Sequence, residues 1–223
     1  MKPSYTVEKN EQPVGFEAGF DQTPWSKAEL GRVTHFREES SAHRPDARFR
    51  VLHNDTHLFV RFQVADRYVR SVQTEYQSAV CTDSCTEFFV KPRPDKGYFN
   101  FEVNAGGTML LYYVEDSTRT DTGFKKRQSV SDEWGEKVAI WHSLPAVVDP
   151  TITDPVDWGN GWVIPVALLE AYAGPLGSLS GQRWQANFYK CGGDESHPHW
   201  AAWSPVPELN FHLPECFGDL VFA

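Results

Sequence analysis

Glu87-Phe88-Phe89-Val90-Lys91, then Pro92-Arg93-Pro94-Asp95-Lys96-Gly97, then Tyr98-Phe99-Asn100-Phe101-Glu102-Val103-Asn104 reads as two strands joined by a turn-rich connection. Symmetric pairing about that connection sets Val90 opposite Phe99 and Phe88 opposite Phe101. Because strand side chains alternate, these four share one face, and that face is a core. The same register turns Glu87, Phe89 and Lys91 to the other side, with Glu102, Asn100 and Tyr98 across from them and Asn104 further along. Two carboxylates facing one another across paired strands repel by a few tenths to about 1 kcal/mol. A compensating group is therefore expected: Lys91, Arg61 or a bound ligand. A solvated strand face is the plainer reading of the same pattern.

Outward from this hairpin, Ala105-Gly106-Gly107 turns the chain into Thr108-Met109-Leu110-Leu111-Tyr112-Tyr113-Val114, which extends the meander. Upstream, Phe49–His53 and the alternating Leu58, Val60, Phe62 and Val64 flank the turn residues Asn54 and Asp55, a second hairpin. Residues 115–137 are polar and read as a long loop or weak strands. Strands are expected again near 138–142, 161–165, 183–189 and 217–222. Pro165–Gly174 reads as the single short helix, with proline at its first turn and glycine after its end. The fold class is all-β with one short helix. Without a repeat or linker, residues 1–223 read as one domain.

The 223 residues carry 40% hydrophobic and 14% aromatic side chains, enough to bury a sizeable core and exclude disorder. No apolar run approaches the roughly 18 residues of a membrane span. Against 30 acidic residues stand 21 basic ones, a net charge of -9 that disfavours nucleic acid and anionic membrane surfaces. The short basic run Lys125-Lys126-Arg127 does not offset it. Neutral ligands fit this balance best. Met1–Glu8 has a charge and a proline where a secretory signal needs an apolar stretch, so the chain as given is expected in the cytoplasm, or secreted or periplasmic with a leader removed.

Four cysteines, Cys81, Cys85, Cys191 and Cys216, are too few for a disulfide scaffold. Cys81 and Cys85 would sit about 13 Å apart on an extended strand, beyond bridging distance. They flank Asp83 with no basic neighbour to lower a thiol pKa and read as packing residues. Gly177-Ser178-Leu179-Ser180-Gly181 has leucine where a serine elbow needs its nucleophile, and no phosphate-cradling glycine loop occurs. His197-Pro198-His199 alone is a weak metal signal.

The second dense region is Asn187–Trp203, which begins as a strand and reads on as a flexible loop carrying two histidines and two tryptophans. Sugars present apolar C–H faces and hydroxyl edges, so their sites need aromatic rings with amides, carboxylates or cationic donors. Trp200, Trp203, His197, Asn187 and Lys190 supply that set, with Trp200 preferred over Trp203. Most of the eight tryptophans must simply pack.

Asp83-Ser84-Cys85-Thr86-Glu87-Phe88-Phe89-Val90, Tyr98–Asn104, Asn187-Phe188-Tyr189-Lys190-Cys191-Gly192, His197-Pro198-His199-Trp200, Trp203-Ser204-Pro205 and Phe211-His212-Leu213-Pro214-Glu215-Cys216-Phe217-Gly218 together resemble the carbohydrate-binding module family 9-like proteins, over residues 22–223. The resemblance implies an antiparallel β-sandwich with immunoglobulin-like or jelly-roll-type Greek-key connections. It implies a saccharide, a chain end or small glycan, held between two tryptophans, with structural calcium; no loop here shows a calcium ligand series. Glu87 matches the family's acidic sugar ligand, Asn187 its amide, and Trp200 its second aromatic. The sequence departs from the pattern at Val80-Cys81, where the first tryptophan is expected, so Tyr76 or Tyr98 would have to take its place.

The expected ligand-binding set is Glu87, Tyr98, Asn100, Glu102, Asn187, Lys190, His197 and Trp200, lidded by the 190–203 loop. The expected function is saccharide binding in polysaccharide catabolism, beside a glycan-degrading enzyme as partner and with no cofactor beyond that calcium. A glycoside-processing enzyme using Glu87 and Glu102 as acid and base is the alternative, since glycosidases need two carboxyls about 5 to 9 Å apart. A vestigial pocket in an accessory protein is the third reading.

Overall fold

The structure, a computed structural model, describes residues 2–121, 123–193 and 196–223. The chain opens with β1 (Ser4–Lys9), β2 (Gly31–Val33), β3 (His35–Phe36), β4 (Asp46–His53), β5 (His57–Asp66) and β6 (Val69–Ser71). The central meander is β7 (Cys85–Lys91), β8 (Tyr98–Asn104), β9 (Met109–Thr120) and β10 (Gly123–Ser129). After a single turn, α1 (Asp132–Gly135), come β11 (Ala139–His142), β12 (Val148–Ile152), β13 (Val156–Pro165), α2 (Val166–Ala173), β14 (Arg183–Gly192), β15 (His199–Ala202) and β16 (Gly218–Phe222). No helix among the described residues is long and apolar enough to cross a membrane.

Two layers face each other. One has the order β10-β9-β8-β7-β14-β16-β1, and the other β1-β4-β5-β13-β11 with β2 beside β4. Chain order breaks after β7, where β14 and then β16 are inserted. Between the layers, Phe88, Val90, Phe99, Phe101 and Phe188 meet Phe49, Val60, Phe62 and Trp162, each fully buried. The register read from the sequence holds in the structure: Val90 pairs with Phe99, Phe88 with Phe101 and Glu87 with Glu102. The β4–β5 hairpin also forms, and Asn54 Oδ1 accepts the backbone N–H groups of Thr56 and His57 in its turn. The helix lies where proline and glycine set it, with Gly174 at φ 85° closing it.

Three features that the sequence missed or left between two readings have physical causes. β1 is a strand, and it pairs parallel with β16 through Ser4–Val7 and with β4 through Glu8 and Lys9, so the sandwich is mixed rather than wholly antiparallel. Its alternation, Tyr5 and Val7 inward, is diluted by Ser, Thr and Glu. The polar stretch after residue 114 is the far half of the β9–β10 hairpin, exposed along most of its length. No apolar alternation marks it, because it covers little; pairing carries it outward from a buried root, with Lys126 to Glu115 at 2.7 Å and Lys125 to Asp116 at 3.1 Å alongside. Beyond the one expected helix stand α1 and three short 3-10 turns at Trp25–Lys27, Val80–Thr82 and Pro214–Cys216.

The outer face of the meander is covered, not solvated. Residues 203–217 fold back across it, and Val206 and Phe217 of that segment form a second apolar cluster with Phe89, Tyr98 and Tyr189 of the sheet. Tyr189 donates to the Phe211 carbonyl at 2.9 Å and stacks on its ring at 4.0 Å, which fastens the covering segment to β14.

Candidate functional site

β7 and β8 deliver Glu87 and Glu102 side by side on this outer face because their positions have the same parity and face one another in register. The covering segment stops short of them and leaves a cleft of about 440 Å³ with both carboxyls in its lining. Trp200 of β15, Phe211 and His212 wall it, with Arg119 at the exposed rim and Cys81 and Cys191 deeper in. Trp200 is half-buried, and part of it lines the cleft.

Only the edges of the two carboxyls reach the cleft, since Glu87 is 2% and Glu102 5% exposed. Asn100 Nδ2 donates to Glu102 Oε1 at 2.7 Å, while Asn100 Oδ1 accepts the Tyr112 N–H at 2.7 Å, which fixes the amide and through it the carboxyl. Cys191 Sγ donates to Glu87 Oε1 at 3.0 Å. Burial, and the facing Glu102 carboxyl, push Glu87 well up; burial pushes Glu102 up against the pull of Asn100. Neither expected cation is there to offset this. Lys91 sits at the far end of β7 opposite Gln185, and Arg61, in the other layer, donates to the Ala18 carbonyl and lies over Trp25 and Trp141. The donors that touch the pair are neutral, the Asn100 amide and the Cys191 thiol. Tyr98 shares a 2.7 Å hydrogen bond with His212 Nδ1, and burial pushes the His212 imidazole down to about 3, so it faces the cleft as a neutral ring.

Of the eight residues read from the sequence, Glu87, Glu102 and Trp200 meet in the cleft. Asn100 and Tyr98 lie behind, orienting Glu102 and His212. The other three lie elsewhere. Asn187 shares the outer face but is sealed under the covering segment, accepting the Ser204 N–H at 2.9 Å and donating to the Ser204 carbonyl at 2.9 Å. Lys190, one residue off the parity of Tyr189 and Cys191, points inward, where it donates to His199 Nε2 at 2.7 Å and pairs with Asp66 at 3.4 Å. His197 stacks on Tyr68 at 3.7 Å. Trp203 packs edge-on against Phe49 and Phe188 at the core margin. The expected flexible lid is largely a hairpin, in which β14 and β15 pair Cys191 with Trp200 and Gly192 with His199; Asp194 and Glu195 lie outside the described residues.

Neither ring proposed for the missing first tryptophan faces the cleft. Tyr76 donates to the Val130 carbonyl beside a separate hollow lined by Glu75, Asp132 and Glu136, and Tyr98 is buried. Phe211 supplies the second aromatic wall instead. The motif containing Phe211 and His212 was visible in the sequence, but nothing local said it would fold over the sheet. Arg119 gave no signal, since it sits in the polar hairpin. Cys81 lines the cleft rather than only packing.

His197 and His199 do not form a metal pair, because His199 spends Nε2 on Lys190 and Nδ1 on the His197 carbonyl. Calcium takes six to eight oxygens. Among the described residues the one trio of His, Cys, Asp or Glu with converging ligand atoms is Cys85, Glu87 and Cys191, and its two thiols do not suit calcium.

No curated protein matches the chain. The crystal structure of a candidate carbohydrate-binding protein from Bacteroides uniformis matches with a TM-score of 0.86 at 28% identity, over 100% of both chains. A family 9 carbohydrate-binding module from Caldicellulosiruptor kristjanssonii in complex with glucose matches with a TM-score of 0.65 at 12% identity, over 99% of this chain and 96% of that one. A complex from the same organism with cellotriose gives 0.61 at 15% identity, over 99% and 93%. These two share the fold. The sequence profile of carbohydrate-binding family 9 matches residues 21–222, nearly the whole length, and the chain belongs to that family.

Proposed function

We propose that the cleft over Glu87 and Glu102 is where this carbohydrate-binding chain holds its saccharide. The observation that carries the reading is a buried carboxyl pair, held by the Asn100 amide and the Cys191 thiol, at the floor of a cleft walled by Trp200 and Phe211. Such a floor accepts and donates hydrogen bonds to sugar hydroxyls, and the rings take the apolar C–H face. At about 440 Å³ the cleft is at the small end of small-molecule sites, suited to one or two sugar rings at a chain end. Glucose and cellotriose in the structural neighbours support this size and class. Arg119 and His212 stand at the rim to select among hydroxyl patterns. The chain then serves polysaccharide breakdown by holding glycan ends beside a degrading enzyme.

Titration calorimetry against a panel of neutral mono- and oligosaccharides tests the site. Binding should fall in Trp200→Ala and in Glu87→Gln, and binding unchanged in both rejects it. The facing carboxyls also admit a glycosidase. Hydrolysis of chromogenic glycosides that is lost in Glu102→Gln would carry that alternative, whereas tight binding without turnover carries the binding role.

A further inference from the structure

We propose that Cys85, Glu87 and Cys191 form a site for one thiophilic divalent cation, Zn²⁺ above all, at the base of the cleft. One ligand atom from each residue lies within 4.8 Å of the other two, and all three residues are buried. The backbone fixes this arrangement. Cys85 and Glu87 are two positions apart on β7 and so share a face, and Cys191 on β14 is the register partner of Cys85. The trio is therefore held by two adjacent strands in mid-sheet, the kind of rigid support that keeps ligand geometry. Cys191 Sγ already touches Glu87 Oε1 at 3.0 Å through its thiol proton.

The donor set chooses the ion. Two thiolates and a carboxylate suit Zn²⁺ and its heavier congener Cd²⁺, whereas calcium and magnesium require oxygen alone. Zinc–sulfur bonds of about 2.3 Å in a tetrahedron put donors about 3.5 to 4 Å apart, so side-chain rotation of about an ångström closes the trio. On binding, both thiol protons leave to solvent, along with any proton on Glu87, and the buried carboxyl pair gains a positive neighbour. Glu87 and Cys191 line the cleft, so the fourth coordination position opens into it, to water or a sugar hydroxyl. The site does not depend on the saccharide reading.

The full chain, kept reduced with a phosphine, is loaded with one equivalent of Zn²⁺ and its metal environment read by X-ray absorption. Two sulfur neighbours at about 2.3 Å are expected. A shell of nitrogen and oxygen only overturns the proposal, and needs no variant to show it. In parallel, Cd²⁺ titration should raise a sulfur-to-metal charge-transfer band that saturates at one ion per chain and is abolished by excess Zn²⁺. The band should persist when Cys81 and Cys216 are both changed to Ser and vanish when Cys85 and Cys191 are. No band, or a band surviving loss of Cys85 and Cys191, overturns it.

Discussion

Lys190 and Cys191 are neighbours on β14, yet they belong to two buried polar clusters of opposite character. Inward, Asp66 is met by Lys190 at 3.4 Å, His43 at 2.7 Å and the Trp158 N–H at 3.1 Å. Burial opposes charge on this carboxyl, but Lys190, His43, His199 and Trp158 outweigh it and hold Asp66 below the ordinary carboxylate range. Outward, Glu87 and Glu102 face each other with a thiol and an amide for company, and burial drives both up. The inward cluster is complete, with charge answered by charge inside the protein. The outward one is touched only by a neutral amide and a neutral thiol, has Arg119 no nearer than the cleft rim, and borders open space, which is why we propose that something from outside completes the set.

The largest test of that contrast is Lys190→Met. Removing one partner of a buried pair leaves an uncompensated charge, which costs about 3 to 5 kcal/mol. Urea denaturation should show a loss of that order, and a loss under 1 kcal/mol would mean that the inward cluster is not held by charge. Glu87→Gln on the outward side should instead weaken saccharide binding by up to about 1.5 kcal/mol, the worth of a hydrogen bond, in calorimetry.

Acidification reads the inward cluster again. Lys190 can only donate, so His199 Nε2 accepts and Nδ1–H donates to the His197 carbonyl, a neutral imidazole. Burial first, then Lys190, push His199 down to about 3. The unfolded chain takes up this proton near 6.5 and the folded one does not, so stability is full above that pH and falls as pH drops toward 3, by about 1.4 kcal/mol per unit. His199→Gln should flatten the denaturation slope between pH 6 and 4 by about one proton. An unchanged slope would show His199 protonated in the fold. Smallest is the effect of Glu87→Gln on stability itself. Relief of the strain between two facing buried carboxyls should leave the protein as stable as before or more so by up to about 1 kcal/mol, and a loss would mean that the pair is already answered from within.

The register of β7 and β8 was legible because Phe99, Phe101 and Val103 alternate with Asn100 and Glu102, and symmetric pairing about the turn-rich connection then set Glu87 opposite Glu102. Parity failed at Lys190 because β14 is buried on both faces, so Phe188, Tyr189 and Cys191 give no alternation to count from. The cleft itself was invisible in the sequence. Its roof arrives from residues 203–217 and its rim from Arg119, contacts between segments distant in the chain that carry no periodic signature. Asn187 illustrates the cost of that, a correct face hidden by a later segment.

β1 has one more consequence. Ser4–Val7 lie against Asp219–Phe222, and Arg183–Ala186 pair with the other side of that same strand. On the ribosome Ser4–Val7 thus wait for a strand made far downstream, the slow, long-range kind of pairing. Until Asp219–Phe222 have emerged, β1 and β14 each present a row of unanswered backbone groups to any passing extended peptide, and a nascent chain stalled there is at its most adhesive.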